Sequence, residues 1–189
     1  MKGVNGMKAY IISDADYNTE VYQKLSAFVT GFFKKQNFEI ETKSIQKGEL
    51  HFCVGCYGCW TKKPGECVIN DAMAEINRTL NSSDVVVYLS PVVFGQYSPN
   101  IKNAIDRWLP NVLPLFVKKP DGTTGHPQRY PSMPLKIVIG YANAVSQEDA
   151  SFFTSLAKRR SGVEAFTYSG DDGRILECLG NVKLERIGA

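Results

Sequence analysis

Four cysteines stand close together: Cys53, Cys56, Cys59 and Cys67, in a C-x2-C-x2-C-x7-C spacing, with Cys178 apart. Thiolates this compact can wrap an iron–sulfur cluster. Structural zinc matches less well, because zinc sites pair two separated knuckles. Two disulfides would need an oxidising compartment. The bland alternative is a set of free thiols in a tight loop, with Gly55, Gly58 and Trp60 packed beneath a ligand. Spacing bounds the ligand set and says nothing of its occupancy.

Two further stretches could hold a ligand. From Ser83 to Trp108 the order is buried strand, loop, helix. Val85 to Leu89 is an unbroken apolar run rich in β-branched residues, the pattern of a strand covered on both faces. Ser90 and Pro91 are expected to end it. Ser98 before Pro99 suits an N-cap followed by proline at the first helical position. Ile101, Ala104, Ile105 and Trp108 then follow at helical spacing. The loop between, with Pro91, Val92, Val93, Phe94, Gly95 and Tyr97, is apolar and aromatic enough to lie against a flat ring. It leaves the carboxyl end of a central strand, where open α/β sheets bind ligands.

The second stretch, Ser13 to Thr19, joins the first strand to the first helix. Its hydroxyls and amides, with the free N–H groups of a helix start, could hold a phosphate. Asp14 and Asp16 oppose that, since carboxylates repel a phosphate dianion and the loop contains no lysine or arginine. The structural alternatives are a capped helix with a solvated turn here and a packed crossover at Ser90–Ser98. His51 and His126 are single loop histidines, and no serine–histidine–carboxylate set is visible by spacing. Lys158, Arg159 and Arg160 suit the end of a helix.

The elements that must position these loops alternate. Lys8 to Ser13 is the first strand, after a loose lead-in. A helix follows from about Thr19, with Val21, Leu25, Phe28, Val29, Phe32 and Phe33 on one face. Asn37 to Ile45 alternates as a strand near an edge. Asn70 or Asp71 opens a helix with Met73, Ile76 and Leu80 inward. Pro110 and Pro114 end or interrupt the helix of Ile101–Trp108, and Lys118 to Ser132 is an exposed excursion. Leu135 to Gly140 is a fourth strand. Ser146 and Asp149 form a capping box, opening a helix with Phe152, Phe153 and Leu156 inward. Val163 to Tyr168 is a fifth strand, and a short strand or helix falls around Ile175 to Leu179. This alternation predicts one α/β domain over residues 1–189: five parallel strands in the order 2-1-3-4-5, with right-handed crossovers and helices on both faces. The Rossmann alternative lacks its glycine-rich first turn.

Composition excludes several classes. The net charge of +3 is too small and scattered for a nucleic-acid partner. No run of about eighteen apolar residues exists to span a membrane. The beginning, Met-Lys-Gly-Val-Asn-Gly-Met-Lys, lacks the apolar core of a signal peptide. The expected compartment is the cytoplasm, where cysteines are thiols, metal ligands or redox groups.

The stretch Ser90 to Arg107, Ser-Pro-Val-Val-Phe-Gly-x-x-Ser-x-x-Ile-Lys-x-x-Ile-Asp-Arg, resembles the flavin loop of the flavodoxin-like NAD(P)H-dependent FMN reductases. Cys53 to Asp71, with its Cys-Trp-x-x-x-Pro-Gly-x-Cys-Val-Ile-x-Asp ending, resembles their iron–sulfur flavoprotein branch and its cluster-free relatives. The resemblance runs to about Gly140 and is weakest after Val163. It implies a flavodoxin-like three-layer sandwich, bound FMN, NAD(P)H as electron donor, a homo-oligomer, and a small-molecule or protein electron acceptor. By match, Ser13, Asn18 and Thr19 would hold the FMN phosphate. Pro91, Val92, Val93, Phe94 and Gly95 would line the ring with Ser98 near it, and Tyr141, Ala142 and Asn143 would approach its far side. The chain departs from the family in two places. Its phosphate loop is shorter and acidic, and the acidic pair after the last cysteine has become Asp71-Ala72.

The reading is therefore an FMN-binding NAD(P)H-dependent oxidoreductase with no catalytic side chain, since the flavin carries the chemistry. Two alternatives stand beside it. One is an iron–sulfur flavoprotein electron carrier with a [4Fe-4S] cluster on Cys53, Cys56, Cys59 and Cys67. The other is a flavin-free interaction scaffold of the same fold.

Overall fold

The structure is a computed structural model that describes residues 6–120, 122–159, 162–182 and 184. Residues 1–5 of the lead-in and Arg160 of the basic run lie outside the described residues. Strands β1 (Lys8–Asp14), β2 (Glu39–Ile45), β3 (Val85–Val93), β4 (Leu135–Tyr141) and β5 (Val163–Tyr168) pair in parallel in the order β2-β1-β3-β4-β5. This is the predicted 2-1-3-4-5 order, with one addition. A two-residue strand, Gln96–Tyr97, folds back antiparallel onto the end of β3.

Helices α1 (Glu20–Lys35) and α5 (Asp172–Gly180) cover one face. Helices α2 (Met73–Ser82), α3 (Pro99–Asp106) and α4 (Gln147–Lys158) cover the other. The two-sided burial explains the continuous apolar runs. In β1, Ala9 and Ile11 point to α1 while Tyr10 and Ile12 point to α2 and α3, so the four central residues are all largely apolar. On α1, Val21, Leu25, Val29 and Phe33 form the buried stripe, each fully buried side chain worth about 1.5–3 kcal/mol. β2 lies at the edge as expected. It carries the exposed Glu39 and the half-buried Glu41 and Lys43, charges that discourage a foreign strand from pairing.

Four local expectations need correcting. β3 does not end at Ser90 and Pro91; it runs to Val93, because Val92 and Val93 find new partners in Tyr97 and Gln96. Ser98 sits at the N-cap of α3, but its side chain makes no capping bond. Phe152 is exposed, because the inward stripe of α4 is Phe153 and Ala157. Trp108 lies beyond the end of α3, which stops at Asp106 and passes into a single 3-10 turn, Leu109–Asn111. The exposed excursion contains a small ribbon, Val117–Lys118 paired with Thr124–Gly125. The segment around Ile175–Leu179 is helical, and Ser146 Oγ caps α4 through the Asp149 N–H at 3.0 Å. Among the described residues no helix is long and apolar enough to cross a membrane.

Candidate functional site: two loops at the carboxyl ends of β1 and β3

The parallel register brings Ser13, Leu89 and Ile139 side by side, so β1, β3 and β4 release their following segments at one rim of the sheet. The β1 loop is folded in on itself. Asp14 is 0% exposed. Its Oδ1 accepts the Asp16 N–H at 3.0 Å and the Asn100 amide at 2.9 Å, while its Oδ2 is buried without a partner. Asp16 turns toward the backbone N–H of Lys47 at 3.2 Å and toward Asn100 at 3.0 Å. Both carboxylates therefore point toward β2 and α3. The residues predicted to hold a phosphate are internally bonded too. Ser13 Oγ meets Ser44 Oγ at 2.7 Å and accepts the Tyr22 hydroxyl at 3.0 Å. Asn18 Oδ1 accepts the Gln23 amide at 3.2 Å, and Thr19 Oγ1 caps α1 by accepting the Tyr22 N–H at 3.2 Å. The N–H groups of Glu20 and Val21, in the first turn of α1, have no carbonyl of their own helix to bond.

The β3 segment does the opposite. Val92 pairs with Tyr97 and Val93 with Gln96, leaving Phe94 and Gly95 as a two-residue turn. Their φ values are 48° and 70°, the left-handed pair that a tight hairpin turn of this type requires. Glycine adopts it freely; phenylalanine does not. A Cβ at Gly95 would also sit 3.0 Å from Asp149 Oδ1 and from the Phe152 ring. Phe94 is nevertheless held there with its ring 93% exposed. Behind the turn, Ser90 Oγ accepts the Ser98 N–H at 3.0 Å, and Ser98 Oγ is buried without a partner. Pro91 is buried in the sheet, beside Tyr141.

At the end of β4, Tyr141 is buried. Its hydroxyl donates to the Tyr17 carbonyl at 3.2 Å and its ring lies 5.6 Å from that of Tyr22, which ties the β4 end to the β1 loop. Burial, and then the nearby Asp14 carboxylate, push its phenol well above the ordinary range. Ala142 donates its N–H to the Tyr168 carbonyl at 3.3 Å, and Asn143 is exposed.

The cysteine segment packs beside this rim, under α3. Its one helical turn, Gly58–Thr61, starts after Tyr57 at φ 52°. A Cβ at Gly58 would meet Val68 Cγ1 at 2.7 Å, so any larger residue would have to push Val68 aside. Trp60 anchors the turn, donating from Nε1 to the Val112 carbonyl at 3.0 Å and stacking on Tyr57 at 5.3 Å. Cys53 and Cys56 are exposed, Cys67 is half-buried and Cys59 is buried. Burial pushes the Cys59 thiol up, and Cys67, Cys53 and Cys56 add to the shift, so all four thiols lie within electrostatic range of one another. They do not converge further: among the described residues no three cysteine, histidine or carboxylate side chains gather closely enough to hold a metal ion.

Arg107 organises this segment; the sequence marked it only as the last residue of the Ser90–Arg107 motif, with no role attached. It is 2% exposed. Its guanidinium pairs with Asp71, donates to the His51 carbonyl at 3.0 Å, and reaches Cys67 Sγ from Nη2 at 3.3 Å. Burial pushes the Asp71 carboxyl up, but hydrogen bonds from Arg107 and the His51 and Met73 N–H groups outweigh it and hold Asp71 below the usual carboxylate range. Asn100 is the other residue that sequence reasoning missed. Its only local signal is an amide next to Pro99 at a helix start.

A parallel 2-1-3-4-5 sheet with its loops gathered at the carboxyl rim of β1 and β3 defines the flavodoxin-like class. The chain belongs to the NADPH-dependent FMN reductase family, whose sequence profile matches residues 7–125. An iron-sulfur flavoprotein of Archaeoglobus fulgidus is 38% identical over 77 residues, covering 41% of this chain and 34% of that protein. The chain thus matches only about a third of that relative's length. Among solved structures, the NAD(P)H:quinone oxidoreductase from Methanothermobacter marburgensis superposes with a TM-score of 0.64 at 12% identity, covering 93% of this chain and 94% of that one. An FMN-dependent NADH-azoreductase from Bacillus anthracis, solved with FMN, gives 0.56 at 14% identity, covering 96% and 97%. At these identities the two likenesses speak for the fold.

Proposed function

We propose that residues 1–189 form one FMN-binding domain that passes reducing equivalents from NAD(P)H to a small-molecule or protein acceptor. The observation that carries this is the Phe94–Gly95 turn. A left-handed phenylalanine with its ring in solvent costs stability and packs nothing in return, the mark of a residue kept for a ligand. The groups around it suit a flavin. The hairpin of Pro91, Val92, Val93, Phe94 and Gly95, with Ser98 behind it, would hold the ring, and Ala142 and Asn143 would approach from β4. Thr19 and the free N–H groups of Glu20 and Val21 would take the phosphate. Ser13 and Asn18 would support that turn through their bonds to Tyr22 and Gln23. The inward turn of Asp14 and Asp16 supports this assignment, because it removes both carboxylates from the outer side of the loop.

Bound there, FMN would supply the hydride and electron chemistry. The chain would bind it, orient it and leave one ring face open for a nicotinamide. Free thiols at all five cysteines agree with a cytoplasmic setting, and exposed Phe94 and Phe116 agree with a homo-oligomer. The test is the visible spectrum of anaerobically purified protein, alone and with added FMN. Flavin bands that bleach with NAD(P)H are expected. A colourless protein that takes up no FMN at micromolar concentration overturns the proposal.

A second reading, an electron carrier with a cluster on Cys53, Cys56, Cys59 and Cys67, rests on the cysteine spacing and on the Arg107 N–H directed at Cys67 Sγ. The thiols as placed do not form a closed ligand set, so the exposed Cys53 and Cys56 would have to move inward. Iron and acid-labile sulfide, with a brown absorbance lost in Cys56→Ser, would establish it; iron-free protein would remove it.

A further inference from the structure

A cavity of about 320 Å³ opens on the α3–α4 side of the sheet and runs from the back of the hairpin at Tyr97 toward the amino ends of β4 and β5. Its floor is the opposite face of the sheet from α1, at Tyr88, Val138 and Val163, and its walls are the far ends of α3 and α4. Lys136 and Val163 pair in register at the amino ends of β4 and β5, whereas the hairpin and the β1 loop lie at the carboxyl ends. The floor and walls are apolar, with Tyr88, Tyr97 and Trp108 offering aromatic surface. That volume lies within the range that small-molecule pockets occupy.

Cations outnumber carboxylates among the residues lining it. Lys119, Lys136 and Arg159 face it with a single carboxylate, Asp106, and Asp106 already receives the Lys102 ammonium at 2.5 Å. The cations are placed rather than loose. Lys136 Nζ lies 3.8 Å from the Trp108 ring centroid, a cation–π contact. The Lys119 stem lies on the Gly125 backbone, where an added Cβ would come within 2.6 Å of its Cε. His126 is fixed by a 2.8 Å bond to the Leu115 carbonyl and by rings at 5.1 Å (Trp60) and 4.7 Å (Phe116).

We propose that this cavity is a binding site for a small aromatic carboxylate, separate from the strand-end site. The ring system would enter between Tyr88, Trp108 and Val163, and the carboxylate would stay at the mouth with Lys119 and Arg159. Apolar walls select for rings, and the excess of cations selects for an anion over its neutral isostere.

The test uses the full chain, 2-naphthoate as probe and 2-naphthamide as its uncharged counterpart, followed by calorimetry at low and high salt. Naphthoate should bind about tenfold more tightly than the amide, and that advantage should shrink as salt screens the charges. The doubly reversed Lys119→Glu/Arg159→Glu variant changes two lining side chains that lie outside the core. Its circular dichroism should match that of the parent, and its preference for the acid should be lost. Equal binding of acid and amide by the parent, an unchanged preference in the variant, or no binding of either probe at millimolar concentration would overturn the proposal.

Discussion

The loop after β1 and the hairpin after β3 leave the same rim of the same sheet and are built in opposite ways. In the first, almost every polar group is bonded to another part of the chain, and two carboxylates are drawn inward by one amide, Asn100. In the second, a backbone that few side chains tolerate is held by cross-strand pairs at Val92–Tyr97 and Val93–Gln96, and the aromatic ring at its tip is exposed. One region is closed by its own hydrogen bonds; the other keeps an apolar surface on offer. Scaffold and contact surface are thus divided between neighbouring loops. The cysteine segment belongs with the closed kind, since a buried ion pair fixes its base.

The contrast fails if a closed region can lose its clamp without harm. Arg107→Leu is the severest case. It strands the buried Asp71 carboxylate and should cost about 3–5 kcal/mol in chemical denaturation. Asp71 also sets a pH limb. Its folded-state pKa lies below the unfolded value near 3.9, so its contribution is present above about pH 4 and is lost as pH falls through the folded value. Asp71→Asn should therefore flatten the acid limb of stability measured below about pH 4.

Asn100→Leu removes two bonds to carboxylates and should cost about 1–3 kcal/mol, with faster amide exchange confined to the β1 loop. If exchange rises equally in the hairpin, the two regions are one unit and the contrast dissolves.

The hairpin should respond to backbone changes. Gly95→Ala places a Cβ at φ 70° against Asp149 and Phe152, and should lower stability by about 1–2 kcal/mol. Asp14→Asn/Asp16→Asn should raise FMN affinity about fivefold by fluorescence titration and leave riboflavin affinity unchanged, since only the phosphate feels the removed charge. An equal gain for both flavins would rule out that electrostatic account. The smallest effect, and the most informative, is Phe94→Asn. Asparagine accepts the left-handed conformation, so stability should rise by about 1 kcal/mol while flavin binding weakens. A variant that gains stability and keeps full affinity would show that the ring at position 94 has no ligand to meet.

Much of this was legible from residues alone. Strand and helix alternation, the continuous apolar runs of β3 and β4 and the amphipathic stripe of α1 fixed a doubly wound parallel sheet, because burial on two faces leaves a composition that a half-exposed strand would not have. The Ser90–Arg107 motif pointed to the hairpin after β3, and the cysteine spacing marked its neighbour. What local pattern could not reveal were contacts between residues far apart in the chain. Asn100 reaches Asp14 across 86 positions, and Arg107 reaches Asp71 across 36. Nothing in their immediate sequence signals either bond. Local pattern also misplaced the end of β3, since Pro91 reads as a stop unless the returning Gln96–Tyr97 strand is already in view. Sequence determined which elements form, because periodicity and apolar content are local quantities. Only the tertiary structure decided which way the acidic loop faces and where the cations of the α3–α4 cavity meet, because those depend on side chains that the fold alone brings into range.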